Sequence, residues 1–118
     1  MTTPAQISEQ YFTAWQTGDF DTLRGLLADD VDFVGALGRA SGVEECLAGL
    51  RGMGRMLERI EVHARVADDT DVITWFDLHT AGGAAPAPTA NWSHVENGRI
   101  TRIRVTFDPR EILATLDR

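Results

Sequence analysis

At 118 residues, 43% hydrophobic and 25% charged, the chain is sized for a single globular domain spanning 1–118. Eleven basic residues, all arginine, stand against eighteen acidic ones for a net charge of −7. With no lysine, Schiff-base and lysine-nucleophile chemistry are excluded, and the acidic balance argues against nucleic acid and anionic membranes as partners. The lone cysteine, Cys46, excludes an intrachain disulfide and any CxxC motif. The opening MTTPAQISEQ lacks a basic n-region and an apolar h-region, so neither a signal peptide nor a membrane span is expected, and the cytoplasm is the expected location.

Thr3, Pro4 and Gln6 read as an N-cap, a first-turn proline and a capping-box partner, so the first helix starts at Pro4. Ile7, Tyr11 and Trp15 form its inward stripe, and Gly18 is its expected C-cap. A second helix is expected over 19–28, carrying Phe20, Leu23, Leu26 and Leu27. Next, LLADDVDFVGALG places Asp29, Asp30 and Asp32 around the start of a strand. All three are expected to face water, Asp32 because it alternates with the core residues Val31 and Phe33.

Ser41 to Glu44 (SGVE) reads as a second capping box, opening a third helix with Val43, Leu47 and Leu50 inward. Gly49, Gly52 and Gly54 are expected to bend or fray its far end, each costing about 1 kcal/mol against alanine. Period-two alternation follows in Ile60, Val62, Ala64 and Val66, then a DDTD turn, then a strand from Val72 to Thr80. GGAAPAPT is a loop leading to a strand near Ala90 to Glu96, ENG is a hairpin turn, and the last strand sets Ile103, Val105 and Phe107 against Arg102, Arg104 and Thr106. DPRE caps a short closing helix. The expected class is α+β, with three N-terminal helices on a curved antiparallel sheet.

The hairpin register decides which polar groups share the face of Ile103 and Val105. A two-residue Asn97-Gly98 turn would place Trp92 and His94 there; a three-residue loop, Glu96 to Gly98 with a glycine bulge, would place Asn91, Ser93 and Val95.

The runs YFTAWQTGDFDTLRGLLADDVDFVG and ENGRITRIRVTFDPREIL, with the glycine-serine loop before the third helix, resemble the SnoaL-like branch of the nuclear-transport-factor-2-like superfamily. The resemblance implies a cone-shaped barrel that hosts polyketide cyclases, ketosteroid isomerases, epoxide hydrolases, dehydratases and non-catalytic binding modules. It favours the second register. It also implies a mostly apolar pocket between helices and sheet, lined by Trp15, Phe33, Phe76, Leu78, Ser93, Ile103, Val105 and Phe107.

In the isomerases' terms, the oxyanion-binding tyrosine falls on Tyr11, the second, protonated acid on Asn91, and the general-base aspartate on Gly35. The base is therefore missing, and Asp32, His94 or Asp77 would have to serve. The epoxide hydrolase Arg and two Asp fall on Phe76, Leu78 and Val105, none of which moves a proton. Tyr11 and Asn91 remain as two hydrogen-bond donors able to polarise a carbonyl. The expected ligand is hydrophobic and steroid-, terpenoid- or polyketide-like. An alternative of a different class is a non-catalytic ligand-binding or dimerisation module.

No cofactor is expected, and no metal, because the three histidines show no HxxxH or HxxE spacing. Cys46, beside Leu47, reads as an inert core thiol. The convex face, carrying Trp75, Trp92, His63, His94, Arg102 and Arg104, is expected to form a homodimer interface.

Overall fold

A computed structural model of the chain describes residues 2–116. Helix α1 (Pro4–Thr17) begins with the expected capping box: Gln6 N donates to Thr3 Oγ1 at 3.2 Å, and Thr3 N donates to Gln6 Oε1 at 2.9 Å. Gly18, at φ +75°, ends it in the left-handed conformation that glycine adopts without steric cost. Helix α2 (Phe20–Leu26) is shorter than expected, because Leu27 and Ala28 already belong to strand β1 (Leu27–Gly35). Asp19 caps α2 by accepting the Thr22 N–H at 3.2 Å.

Strand β2 (Gly38–Ser41) folds back on β1, pairing Phe33 with Ala40, where the sequence suggested only a loop. This removes Ser41 from the cap of helix α3 (Val43–Gly54), so the expected Ser41–Glu44 box does not form. Gly42 is the N-cap instead. Glu45, not Glu44, accepts the Ser41 N–H at 2.9 Å, while Glu44 pairs with Arg24. The helix runs on to Gly54 past its glycines, since Cys46, Leu47 and Leu50 are buried in the core and outweigh the local propensity.

Strands β3 (Leu57–Ala67), β4 (Asp71–Thr80), β5 (Ala87–Glu96) and β6 (Arg99–Thr106) form the meander, and α4 (Arg110–Leu116) closes the chain. The six-stranded sheet has the order β2-β1-β6-β5-β4-β3. All neighbours are antiparallel except β1 and β6, which are parallel. The sheet is thus mixed rather than wholly antiparallel, and open rather than closed into a barrel, with β2 and β3 as its edges. Hairpins force alternating direction within β3 to β6, but β1 reaches β6 only through β2, α3 and the meander, so no hairpin dictates their sense.

Alternation along β4 and β5 turns Thr74, Phe76, Leu78, Thr89, Asn91, Ser93 and Val95 toward the helices. Ile7, Leu23, Leu27, Val31, Leu47, Ile100 and Ile112 complete the core beneath them. Burying a side chain such as Leu23, fully excluded from solvent, contributes about 2 kcal/mol.

The β5–β6 hairpin corrects one expectation and keeps its consequence. Asn97 and Gly98, at φ +53° and +78°, make a two-residue turn of the type I′ kind that pairs Glu96 with Arg99, not a three-residue loop. That turn alone would bring Trp92 and His94 inward. Thr101 is an extra residue, however: Val95 pairs with Ile100 and His94 with Arg102. The bulge shifts the register by one, so Asn91 lies opposite Val105 and Ser93 opposite Ile103.

Candidate functional site

A cavity of about 380 Å³ opens between α1, α3, the β1–β2 hairpin and the concave face of β4 to β6. That volume falls in the range of small-molecule sites. Of the expected residues, Tyr11, Trp15, Phe33, Phe76, Leu78, Asn91, Val105 and Phe107 line it. Phe12 stacks edge-on between Tyr11 and Phe76, with ring centroids 5.1 and 5.3 Å apart, and makes the inner wall aromatic. Leu50, Met53 and Met56 supply the helical side, and Leu37 and Arg39 reach the mouth from the β1–β2 hairpin.

Polar groups inside are few and neutral. The Tyr11 residue is 1% exposed, and its hydroxyl has no hydrogen-bond partner among the described residues. Unlike the sealed, unpartnered hydroxyls of Ser8 and Thr80, it opens on the cavity. Burial, with the nearby Cys46 thiol adding to it, raises the Tyr11 pKa far above the usual phenol range, so the group stays a protonated donor.

Asn91 is 3% exposed, and its Oδ1 accepts from Ser93 Oγ at 3.1 Å, which leaves the amide NH2 as the uncommitted end. The Thr89 hydroxyl is committed to the Ala87 carbonyl at 2.9 Å, and Trp15 Nε1 to the Leu50 carbonyl at 2.9 Å. Tyr11 and Asn91 are therefore the buried O–H and N–H donors left over. Burial pushes the Cys46 thiol up to about 11, away from the thiolate a nucleophile requires. Charged side chains among the lining residues are confined to Arg39 and Glu45, both exposed.

Four expected site residues lie elsewhere. Asp32 is on the convex face, where its carboxylate accepts from Arg104 Nη2 at 2.8 Å, an ion pair set by cross-strand packing. His94 is on that face too, with Nδ1 2.9 Å from Asp71 Oδ1 and Nε2 3.7 Å from Glu96 Oε1. Ser93 and Ile103 are buried, at 1% and 0% exposure, but are not among the lining residues; Ser93 donates to Asn91, which is. Asp77, the remaining substitute base, faces His63 at 3.0 Å on the convex side. Asp29 and Asp30 are exposed.

Gly35, where the isomerase base falls, borders the cavity. A Cβ there would lie 2.8 Å from Phe33 Cε1, so the Phe33 ring occupies the space a side chain at 35 would need.

Residues missed in the sequence are Phe12, Leu50, Met53, Met56 and the β1–β2 turn. Cys46, Leu50 and Met53 do follow the i, i+4, i+7 spacing of one helix face, which was the available signal.

Helices packed on a curved open sheet, with the cavity between them, define the nuclear-transport-factor-2-like class. The chain belongs to the SnoaL-like domain family, whose pattern matches residues 8–103. Among solved structures, a Kribbella flavida protein is similar at 26% identity and a TM-score of 0.90, over 99% of this chain and 96% of that one. An NTF2-like protein of Cytophaga hutchinsonii is similar at 24% identity and 0.81, over 96% of each chain. A Mycobacterium tuberculosis LEH-like epoxide hydrolase is similar at 26% identity and 0.77, over 97% of this chain and 89% of that one. No curated protein matches the sequence.

Proposed function

We propose that this SnoaL-like protein binds a hydrophobic carbonyl compound of polyketide, steroid or terpenoid type and, as an isomerase or cyclase, polarises its carbonyl between Tyr11 and Asn91 so that solvent water takes the acidified α-proton and returns one to the product. The observation that carries this reading is a pair of uncommitted, neutral, buried donors in a cavity whose charged lining residues, Arg39 and Glu45, are both exposed. A hydroxyl and an amide held where water is scarce stabilise charge developing on oxygen without reorganising. Epoxide hydrolysis, the activity named for the mycobacterial relative, is not the reading adopted, because Phe76, Leu78 and Val105 stand where the resemblance puts its Arg and two Asp.

A second reading, a non-catalytic carrier of the same ligand class, is favoured by one observation: no aspartate or histidine is among the lining residues. Under either reading the chain works as a cytoplasmic homodimer through the convex face. Supporting the dimer, Ile73 and Trp75 are 52% and 46% exposed on that face, beside Trp92, Arg102 and Arg104.

The test is calorimetric titration with a steroidal ketone, a monoterpenoid ketone and an aromatic polyketide-type ketone, paired with NMR of α-deuterium incorporation in D2O. Saturable binding with accelerated exchange, lost in Tyr11→Phe, supports the enzyme. Binding without exchange supports the carrier, and absence of binding to all three contradicts both.

A further inference from the structure

The convex face also gathers side chains that the pocket does not use. Glu61 and His63 stand two residues apart on β3, and Asp77 and His79 two apart on β4. The antiparallel register sets Glu61 directly opposite Asp77. A bulge between Val62 and Ala64 leaves His63 as the extra residue, with its Nε2 3.0 Å from Asp77 Oδ2. Diagonally across, His79 Nε2 lies 3.1 Å from Glu61 Oε1. Two histidine–carboxylate pairs therefore lie side by side, and donor atoms of Glu61, His63 and Asp77 all fall within 4.8 Å of one another.

Two carboxylates directly opposed on neighbouring strands repel. Among the described residues, Arg59, 3.6 Å from Glu61, is the one arginine paired with either carboxylate. A divalent cation would neutralise both carboxylates at once. Tetrahedral zinc, with bonds of about 2.0–2.1 Å, sets its donors about 3.4 Å apart. The His63–Asp77 spacing is already close to that, and the wider separations close by rotation of half-exposed side chains, 46% and 41% exposed at Glu61 and His63. The bond from His79 holds the Glu61 carboxylate, as outer-shell partners hold metal ligands.

We propose that Glu61, His63 and Asp77 form a divalent transition-metal site of the zinc class, which staples the edge strand β3 to β4. Imidazole with carboxylate oxygen is a donor set that zinc accepts. The site is independent of the pocket.

The test is equilibrium dialysis of the chelator-treated full chain against zinc, with thermal melts alongside. The expected result is one zinc per chain and a Tm raised by about 10 °C at a hundredfold excess over the dissociation constant. His63→Gln and Asp77→Asn should each weaken zinc binding by about 10- to 100-fold. His94→Gln should leave it unchanged, because its partner Asp71 already accepts from Thr70 and Trp92. No zinc retained and no shift in Tm by the unaltered chain would overturn the proposal. So would equal uptake by His63→Gln and Asp77→Asn, or an equal loss in His94→Gln.

Discussion

Replacing Tyr11 by phenylalanine separates a binding role from a packing role. The side chain is buried to 1% exposure, yet its hydroxyl has no partner among the described residues and opens on the cavity. Deleting an oxygen that holds nothing in the folded protein removes no internal hydrogen bond, so Tyr11→Phe should change unfolding free energy by less than about 1 kcal/mol, in either direction. The ring remains against Phe12, and the packing term is kept. Ligand binding should respond differently. A carbonyl that meets Tyr11 in the unaltered protein is left buried without that donor, a penalty of about 1–3 kcal/mol, or roughly a 5- to 150-fold weaker dissociation constant. Urea unfolding and calorimetric titration with the tightest ketone measure the two quantities on the same sample. A loss of about 2 kcal/mol or more in stability with unchanged affinity would refute the reasoning, since it would mean that the hydroxyl serves the fold.

Three further outcomes follow from the geometry. Hydrogen bonds from Thr70, His94 and Trp92 hold the Asp71 carboxyl down at about 2. A lowered folded-state pKa adds stability that is complete above the unfolded value near 3.9 and is lost as pH falls toward 2. Asp71→Asn should therefore lower the urea midpoint at pH 7, with the gap to the unaltered protein closing by about pH 2. Gly35→Asp should destabilise by about 1–3 kcal/mol through the Phe33 ring, and Phe33→Ala should relieve much of that added penalty in a double-mutant cycle; additive effects would mean that the ring is free to move aside. Trp75→Glu on the convex face should turn the proposed dimer into monomer in sedimentation velocity without altering ketone affinity, and an unchanged sedimentation coefficient would place any interface elsewhere.

What could be read from the sequence was what depends on neighbours along the chain. The Thr3–Gln6 box, the Gly18 cap and the alternation of β4 are all written within a few residues of where they act. Features that depend on distant pairing were not legible in the same way. β2 is four residues long, and only its pairing with β1 turns a loop-like GRAS into strand and takes Ser41 away from the cap of α3. The hairpin shows the point most sharply, because Asn97-Gly98 does advertise a two-residue turn, but the bulge at Thr101 that reverses its consequence leaves no mark in composition. In the site, the aromatic floor was legible through alternation and resemblance. The place of Met56 in the cavity wall, beyond the end of α3, depended on tertiary packing, and the pairing of each histidine with a carboxylate on its own or a neighbouring strand required the register of the sheet.

The central claim is that the cavity works with buried neutral donors and that no aspartate or histidine lines it. Its most direct measurement is the pH dependence of ketone affinity, taken by titration between about pH 6 and 9, across the range where imidazoles and perturbed carboxylates change charge. Tyr11 is held protonated throughout by burial, and Cys46 titrates only at about 11, so the account predicts a flat profile. A step near neutrality that disappears in His94→Gln or Asp32→Asn would contradict it, because it would put an ionising group in contact with the ligand.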